Sequence, residues 1–214
     1  LIPTLHRTIM PERFVEHYGG GTWFKAAFLH TFTFLALSFL LVNPPFGDIA
    51  APELAKSWTV IADDGEEIEY PYDVSTKGSS LTWHTNGTTT LQGDAWLLFG
   101  LMDNKNSDGA TVNVTRTYQG DVTTREVNTS YYIDNLEAIK NGTSSSNDTS
   151  PNLTPHGDQD QPFAIFLGTD LGEGTHDITV VITEDGDPWE NVQTYHWTLK
   201  IVNASPFDQD SISE

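Results

Sequence analysis

The sequence contains no cysteine. This absence excludes disulfide bridges, zinc ribbons, iron–sulfur clusters, blue-copper centres and cysteine nucleophiles. Secreted animal domains commonly depend on disulfides, so for a chain that lies outside the cytoplasm their absence from 214 residues would indicate a bacterial or archaeal protein.

Basic residues are also scarce. Ten Lys and Arg oppose 30 Asp and Glu, which gives a formal net charge of −20. Phosphate binding needs Lys and Arg, so we expect no nucleic-acid partner. One interpretation of the excess carboxylates is a surface for cations or cationic partners. The interpretation we favour is a halophilic archaeal surface protein, whose charge keeps it soluble in salt.

Common catalytic motifs are missing too. The chain has neither the G-x-S-x-G elbow of α/β-hydrolases nor a Walker-type phosphate loop. The later histidines contain no pair at the close spacing typical of zinc or copper sites: His84, His156, His176 and His196. We therefore predict a protein that is not an enzyme and that needs no cofactor.

The longest apolar segment is residues 23–42, in which fifteen side chains are apolar or aromatic. A helix of this length reaches roughly 30 Å, the thickness of the hydrocarbon core of a bilayer. We predict a transmembrane helix, ahead of two alternatives, a buried core helix and a cleaved signal peptide. The following Asn43-Pro44-Pro45 would end the helix.

The charges around this segment predict its orientation. Arg7, Arg13 and Lys25 lie at its N-terminal side, whereas most acidic residues follow it. The positive-inside rule places residues 1–22 in the cytoplasm and the C-terminal domain outside the cell. His30 lies near mid-depth and is a candidate polar contact with a partner helix. The predicted partners are membrane lipid and a protein bound through the helix or the domain.

The chain after the helix divides into a stalk, a domain and a tail. Residues 43–56 contain three prolines and predict a semi-rigid stalk. Residues 57–203 alternate apolar and polar side chains between turn signals, which predicts a β-sandwich. Within this domain, residues 134–161 predict a helical turn or two and then a mobile loop. Residues 204–214 form an acidic tail.

The alternation also predicts the individual strands. The dipeptide Asn86-Gly87 is typical of a hairpin, and residues 119–121 predict the turn of a second one. Most tryptophans fall in strands and are expected in the core, whereas Trp189 is expected to be exposed and available to stack on a sugar. Strands are predicted at residues 57–62, 67–74, 81–85, 95–102, 111–118, 122–132, 163–168, 175–184 and 191–202.

The last two predicted strands carry a family resemblance. Their sequences are Leu171-Gly-Glu-Gly-Thr-His-Asp-Ile-Thr-Val-Val-Ile-Thr-Glu-Asp-Gly and Tyr195-His-Trp-Thr-Leu-Lys-Ile-Val. This pair resembles the closing hairpin of immunoglobulin-like and fibronectin-type-III-like domains of microbial surface proteins. The resemblance implies an all-β, antiparallel immunoglobulin-like β-sandwich after the helix, and it implies no particular function.

Two kinds of candidate site lie in this domain. Residues Asn104, Asn106 and Asp108, followed by Gly109, match the opening of a calcium loop. Thr115 stands where the bidentate Glu of such a loop is expected, so a plain hairpin loop is favoured and calcium is the alternative. We also expect glycans on some of the seven N-x-[ST] sequons: Asn86, Asn113, Asn128, Asn141, Asn147, Asn152 and Asn203.

These features predict a single-pass membrane protein with an extracellular domain that binds or scaffolds at the cell surface. One alternative is an accessory subunit of a larger membrane complex, which His30 within the helix would favour. The other alternative is an exported enzyme or a carbohydrate- or metal-binding domain, for which Trp189 is the candidate sugar-stacking residue.

Overall fold

A computed structural model of the protein describes residue 4 and residues 8–9, 11–12, 16–43, 46–103, 109–143, 153–157 and 159–205. The chain forms two units, Leu1–Asp48 and Ile49–Glu214. We call the second one the β unit.

Helix α1 (Gly20–Leu41) is the main element of the first unit. It begins three residues before the predicted start, and its length and apolar composition are sufficient to cross a membrane. At its end, the Asn43 side chain donates a hydrogen bond to the Phe39 carbonyl at 2.6 Å. Every residue of α1 is exposed or half-buried. Apolar side chains lie on all sides of α1, whereas a helix on a soluble core would show one apolar stripe.

Nine strands and two short helices are found among the described residues of the β unit. One sheet has the strand order β2-β1-β4-β7, and the other has the order β3-β9-β8-β5-β6. The elements are β1 (Glu53–Asp63), β2 (Ile68–Glu69), β3 (Ser80–His84), β4 (Thr90–Met102), β5 (Thr111–Tyr118), β6 (Asp121–Arg125), α2 (Thr129–Asp134), α3 (Leu136–Gly142), β7 (Gln161–Gly172), β8 (Gly174–Glu184) and β9 (Asn191–Val202).

The two sheets enclose one apolar core. Trp58 of β1 stacks on Trp197 of β9 with ring centroids 4.8 Å apart, and Phe99 of β4 meets Trp197 edge-on at 5.4 Å. All three side chains are buried. Strand alternation directs all three side chains into the space between the sheets. The prediction of a mostly-β protein with two sheets and a preceding apolar helix is thus confirmed.

A second apolar cluster lies on the outer face of the β2-β1-β4-β7 sheet. Trp96 of β4 stacks on Tyr131 of α2 at 4.0 Å, and the Tyr131 hydroxyl donates to Asp63 at 2.7 Å. Ile139 of α3 is fully buried in this cluster. Asn128 caps α2 by accepting a hydrogen bond from the Tyr131 N–H. The two short helices therefore cover this face of the sheet.

Several boundaries differ from the predicted ones. Strand β1 begins at Glu53, inside the predicted stalk, because the adjacent Leu54 pairs with β4 and its N–H donates to the Tyr195 hydroxyl at 3.0 Å. The strand predicted at 122–132 is divided between β6 and α2, since Asn128 caps a helix there. These ends are set by contacts with distant parts of the chain.

The segment predicted as a mobile loop, residues 134–161, contains ordered structure. Helix α3 accounts for the predicted helical turns. Leu153 and Thr154 are buried at 1% and 5% exposure, so this part packs on the β unit. Residues 144–152 and 158 lie outside the described residues.

One strand contradicts the predicted all-antiparallel arrangement. Strand β3 runs parallel to β9, with Ser80 opposite Thr198. Asn86 and Gly87 adopt the left-handed backbone of a tight turn, with φ of 48° and 108°. This turn connects β3 to β4, which belong to different sheets. The hairpin predicted from this dipeptide is therefore wrong, because both flanking strands pair elsewhere.

Replacing Trp197 with Ala is expected to lower the free energy of unfolding of the β unit by about 3–5 kcal/mol. The substitution removes the stacking partner of Trp58 and leaves a cavity between the sheets. Urea unfolding of the full chain, followed by far-UV circular dichroism, measures the loss. The matched control is Trp189→Ala, because Trp189 is 60% exposed and should cost less than about 0.5 kcal/mol. Equal losses would contradict the central position of Trp197.

Candidate functional site

Two arginines lie together at one edge of the β unit. They are Arg116 of β5 and Arg125 of β6, the only arginines after α1. The turn between these strands is tight, because Gln119 and Gly120 both have left-handed backbone, with φ of 51° and 89°. This turn confirms the predicted hairpin and sets its register, in which Arg125 lies opposite Val114. We call Arg116 and Arg125 the arginine pair.

Strand alternation directs the arginine pair inward. Val114 is fully buried in the core, and Arg116 follows it two residues later on the same face of β5. Arg125 shares this face, because directly opposed residues of paired strands point to the same side. Both arginines are half-buried. The core therefore ends at this edge in two charged side chains.

The two guanidinium groups meet the opposite sheet at Gly168 of β7. A Cβ atom built on Gly168 would lie 3.2 Å from Leu171 Cδ2, 3.4 Å from Arg116 Nη1 and 4.0 Å from Arg125 Nη1. Gly168 has a φ of 134°, which L side chains rarely adopt. The absence of a side chain at this position leaves the space that the guanidinium groups approach.

The chain crosses between the two sheets beside the arginine pair. After β6, the Asn128 N–H donates to the Ala164 carbonyl at 2.7 Å, and the Phe166 N–H donates to the Glu126 carbonyl at 3.2 Å. These bonds connect the segment after Arg125 to β7, the edge strand of the other sheet. They hold β6 and β7 together next to Gly168.

His176 and Tyr118 flank the arginine pair. The two rings stack with centroids 4.2 Å apart, and the Tyr118 hydroxyl donates to the Glu173 carbonyl at 2.9 Å. His176 is fully buried, and its Nε2 lies 2.8 Å from the Gly172 carbonyl, to which it must donate. Its Nδ1 is buried and has no hydrogen-bond partner among the described residues.

Several N–H groups of the arginine pair have no hydrogen-bond acceptor among the described residues. Nε and Nη1 of Arg116 and Nε of Arg125 are buried without an acceptor in the described part of the chain. Burial and the charge of Arg125 lower the pKa of Arg116, and burial lowers the pKa of Arg125. A buried donor without an acceptor costs about 1–3 kcal/mol, and more when the group is charged. The site therefore has the chemistry to bind an acceptor supplied from outside the chain.

Most of the predicted site residues are exposed. His30 is exposed on α1, and Trp189 is exposed before β9. The calcium candidates Asn104, Asn106 and Asp108 lie outside the described residues, as do the sequon residues Asn147 and Asn152. The other sequon asparagines are all exposed: Asn86, Asn113, Asn128, Asn141 and Asn203.

The arginine pair was not predicted from the sequence, although part of the signal was present. Arg116 continues the inward positions of Val112 and Val114 in an alternating strand, where an apolar residue is expected. The inward position of Arg125 depends on the register across the turn, and Gly168 belongs to the other sheet.

Comparisons with known proteins give no family. No protein-family model matches the chain, and no curated protein matches it. Among solved structures, the chain has a distant likeness to AggA, the major subunit of aggregative adherence fimbriae type I from Escherichia coli. The match covers 73% of this chain and 97% of AggA, at 11% sequence identity and a TM-score of 0.32. A likeness of this size carries no function to this chain.

His176 predicts a pH dependence of stability. Burial lowers its pKa, and the nearby charges of the arginine pair lower it further, against the opposing effect of the Gly172 carbonyl. Below about pH 6.5 the unfolded chain therefore takes up a proton at His176 before the folded chain does, and the free energy of unfolding falls. Above this pH the contribution is constant.

Chemical unfolding at a series of pH values measures this effect. His176→Phe should reduce the fall in stability on acidification from about pH 7 to pH 5.5, even if it lowers stability at every pH. The matched control is His196→Gln, which removes an exposed histidine of β9 and should leave the slope unchanged. A slope that is identical in His176→Phe and the wild type would contradict the assignment.

Proposed function

We propose that the protein is a membrane-anchored surface protein whose immunoglobulin-like β unit lies outside the cytoplasm, where it binds or scaffolds and does not catalyse. Helix α1 carries this proposal, because all its faces are apolar and none of its residues is buried. In water, α1 would expose large side chains such as Phe28 at 64% and Leu35 at 60%. A bilayer removes this surface from water.

The surface of the β unit supports an extracytoplasmic placement. Its described sequon asparagines are all exposed, as glycosylation requires. The proposal includes glycans on some of them and a halophilic archaeal host, for which the net charge of −20 is the support. Arg7, Arg13 and Lys25 support a cytoplasmic N-terminus.

An accessory-subunit role is the second candidate, and His30 favours it. This imidazole lies in the middle of α1, and no residue in the described part of the chain is bonded to it. A polar side chain inside a bilayer is stabilised by a hydrogen-bonding partner, which a neighbouring transmembrane helix supplies in many membrane complexes.

Membrane extraction tests the anchor. The full chain, expressed in cells, should stay in the membrane pellet after an alkaline carbonate wash and should dissolve in detergent. Deletion of residues 23–42 should move it to the soluble fraction, because the apolar surface that the bilayer covers is then absent. His30→Leu is the matched control and should stay in the pellet. Recovery of the full chain in the carbonate wash would refute the anchor.

Native mass spectrometry of detergent extracts from the natural host separates the two candidate roles. A single chain whose mass varies with attached glycans is the result expected for the surface-domain role. A complex of defined mass with other chains would replace this role with the accessory-subunit role. In that case, His30→Leu should weaken the complex if His30 contacts the partner helix.

A further inference from the structure

We propose that the arginine pair is a binding site for an oxyanion, a carboxylate, sulfate or phosphate group, that enters at the edge between β6 and β7. The inference rests on the proposed binding role of the β unit and names the chemical class of its ligand. The candidate ligand atoms are oxygens placed beside Gly168, within reach of both guanidinium groups.

The geometry brings two sets of donors to one point. Arg116 Nη1 and Arg125 Nη1 both approach the position next to Gly168, at 3.4 Å and 4.0 Å from a Cβ atom built there. Guanidinium groups bind carboxylate, sulfate and phosphate oxygens through paired, charge-assisted N–H bonds. An oxygen held between the two Nη1 atoms would accept bonds from arginines of two paired strands, β5 and β6.

The chain is rich in carboxylates, yet the arginine pair has no carboxylate partner among the described residues. The chain has 30 acidic residues, yet no described carboxylate lies within salt-bridge distance of either arginine. Two adjacent positive charges at a desolvated edge repel each other, and a bound anion removes this repulsion.

His176 and Tyr118 give the site a fixed wall. Tyr118 is held by its stack on His176 and by its bond to the Glu173 carbonyl. His176 is fully buried, and because its Nε2 carries the proton donated to the Gly172 carbonyl, its Nδ1 is an acceptor and offers no hydrogen bond to an anion. Because its lowered pKa keeps His176 neutral at pH 7, it adds no charge of its own to the site.

The negative net charge of the protein means that an anion must be bound through close contacts and not through long-range attraction. At −20, the chain repels anions at long range, so the site gains no electrostatic steering. Salt screens this repulsion over a Debye length of about 10 Å at 0.1 M, whereas contacts within the half-buried site are screened less. Selectivity therefore depends on close contact with the guanidinium groups.

The test uses the Arg Nε–H signals in nuclear magnetic resonance spectra of the isotope-labelled full chain in detergent micelles. The chain has only four arginines, so Arg7 and Arg13 serve as internal controls. Sodium acetate, sulfate and phosphate are titrated separately at constant ionic strength, with sodium chloride as the balancing salt. We expect a saturable shift of the Arg116 and Arg125 signals alone, with the affinity order distinguishing a planar carboxylate from a tetrahedral anion.

Two variants and a control locate the binding. Arg116→Gln and Arg125→Gln should each weaken the affinity by at least about tenfold, because each removes a charge-assisted bond. Lys200→Gln removes a cation from an exposed position of β9 and should leave the affinity unchanged. If an arginine variant does not fold, the titration of the wild type decides the question.

Three results would overturn the oxyanion site. They are the absence of a saturable shift with all three anions, a parallel shift of all four arginine signals, and an equal loss of affinity in Lys200→Gln. Carbonate extraction of the same variants is independent of this outcome. A chain that stays in the membrane without binding anions refutes the oxyanion site alone, and a chain that binds anions but washes off refutes the anchor alone.

Discussion

Trp197 lies between the two sheets, with Trp58 stacked on one side and Phe99 against its edge. Facing sheets are roughly 10 Å apart, and large side chains must fill that distance wherever the sheets overlap. Near β6, the residues between the sheets are no longer aromatic rings but the arginine pair. The aliphatic parts of these arginine side chains can pack in the core, whereas their charged ends require polar partners. The apolar core thus sets the spacing of the sheets, and the candidate site lies where that core ends.

Much of the strand content could be predicted because a period of two is a local property of the sequence. Strands β5 and β9 occur at the predicted residues, since each alternates clearly between turn signals. The ends of other strands depend on distant partners. Strand β1 extends back to Glu53 because Leu54 contacts Tyr195, and the second predicted strand is reduced to Ile68–Glu69.

Pairing and the candidate site required information that no local pattern contains. Asn86-Gly87 makes the turn that its composition predicts, but its strands join different sheets. Arg116 shows its inward position through alternation alone. The inward position of Arg125 follows only from the register across the β5–β6 turn. Gly168 lies beside the arginine pair because the chain after β6 is hydrogen-bonded to β7. A site assembled from three strands in two sheets is therefore visible only in three dimensions.

The parallel pairing of β3 with β9 also affects the order in which the chain can fold. Ser80 pairs with Thr198, which lies 118 residues later, so the larger sheet cannot be completed until β9 has left the ribosome. A fold dominated by such distant contacts has a high contact order and forms slowly. During that interval the strands of the future core are exposed to neighbouring chains. The negative charge of these nascent chains makes them repel one another, which opposes aggregation before the fold is complete.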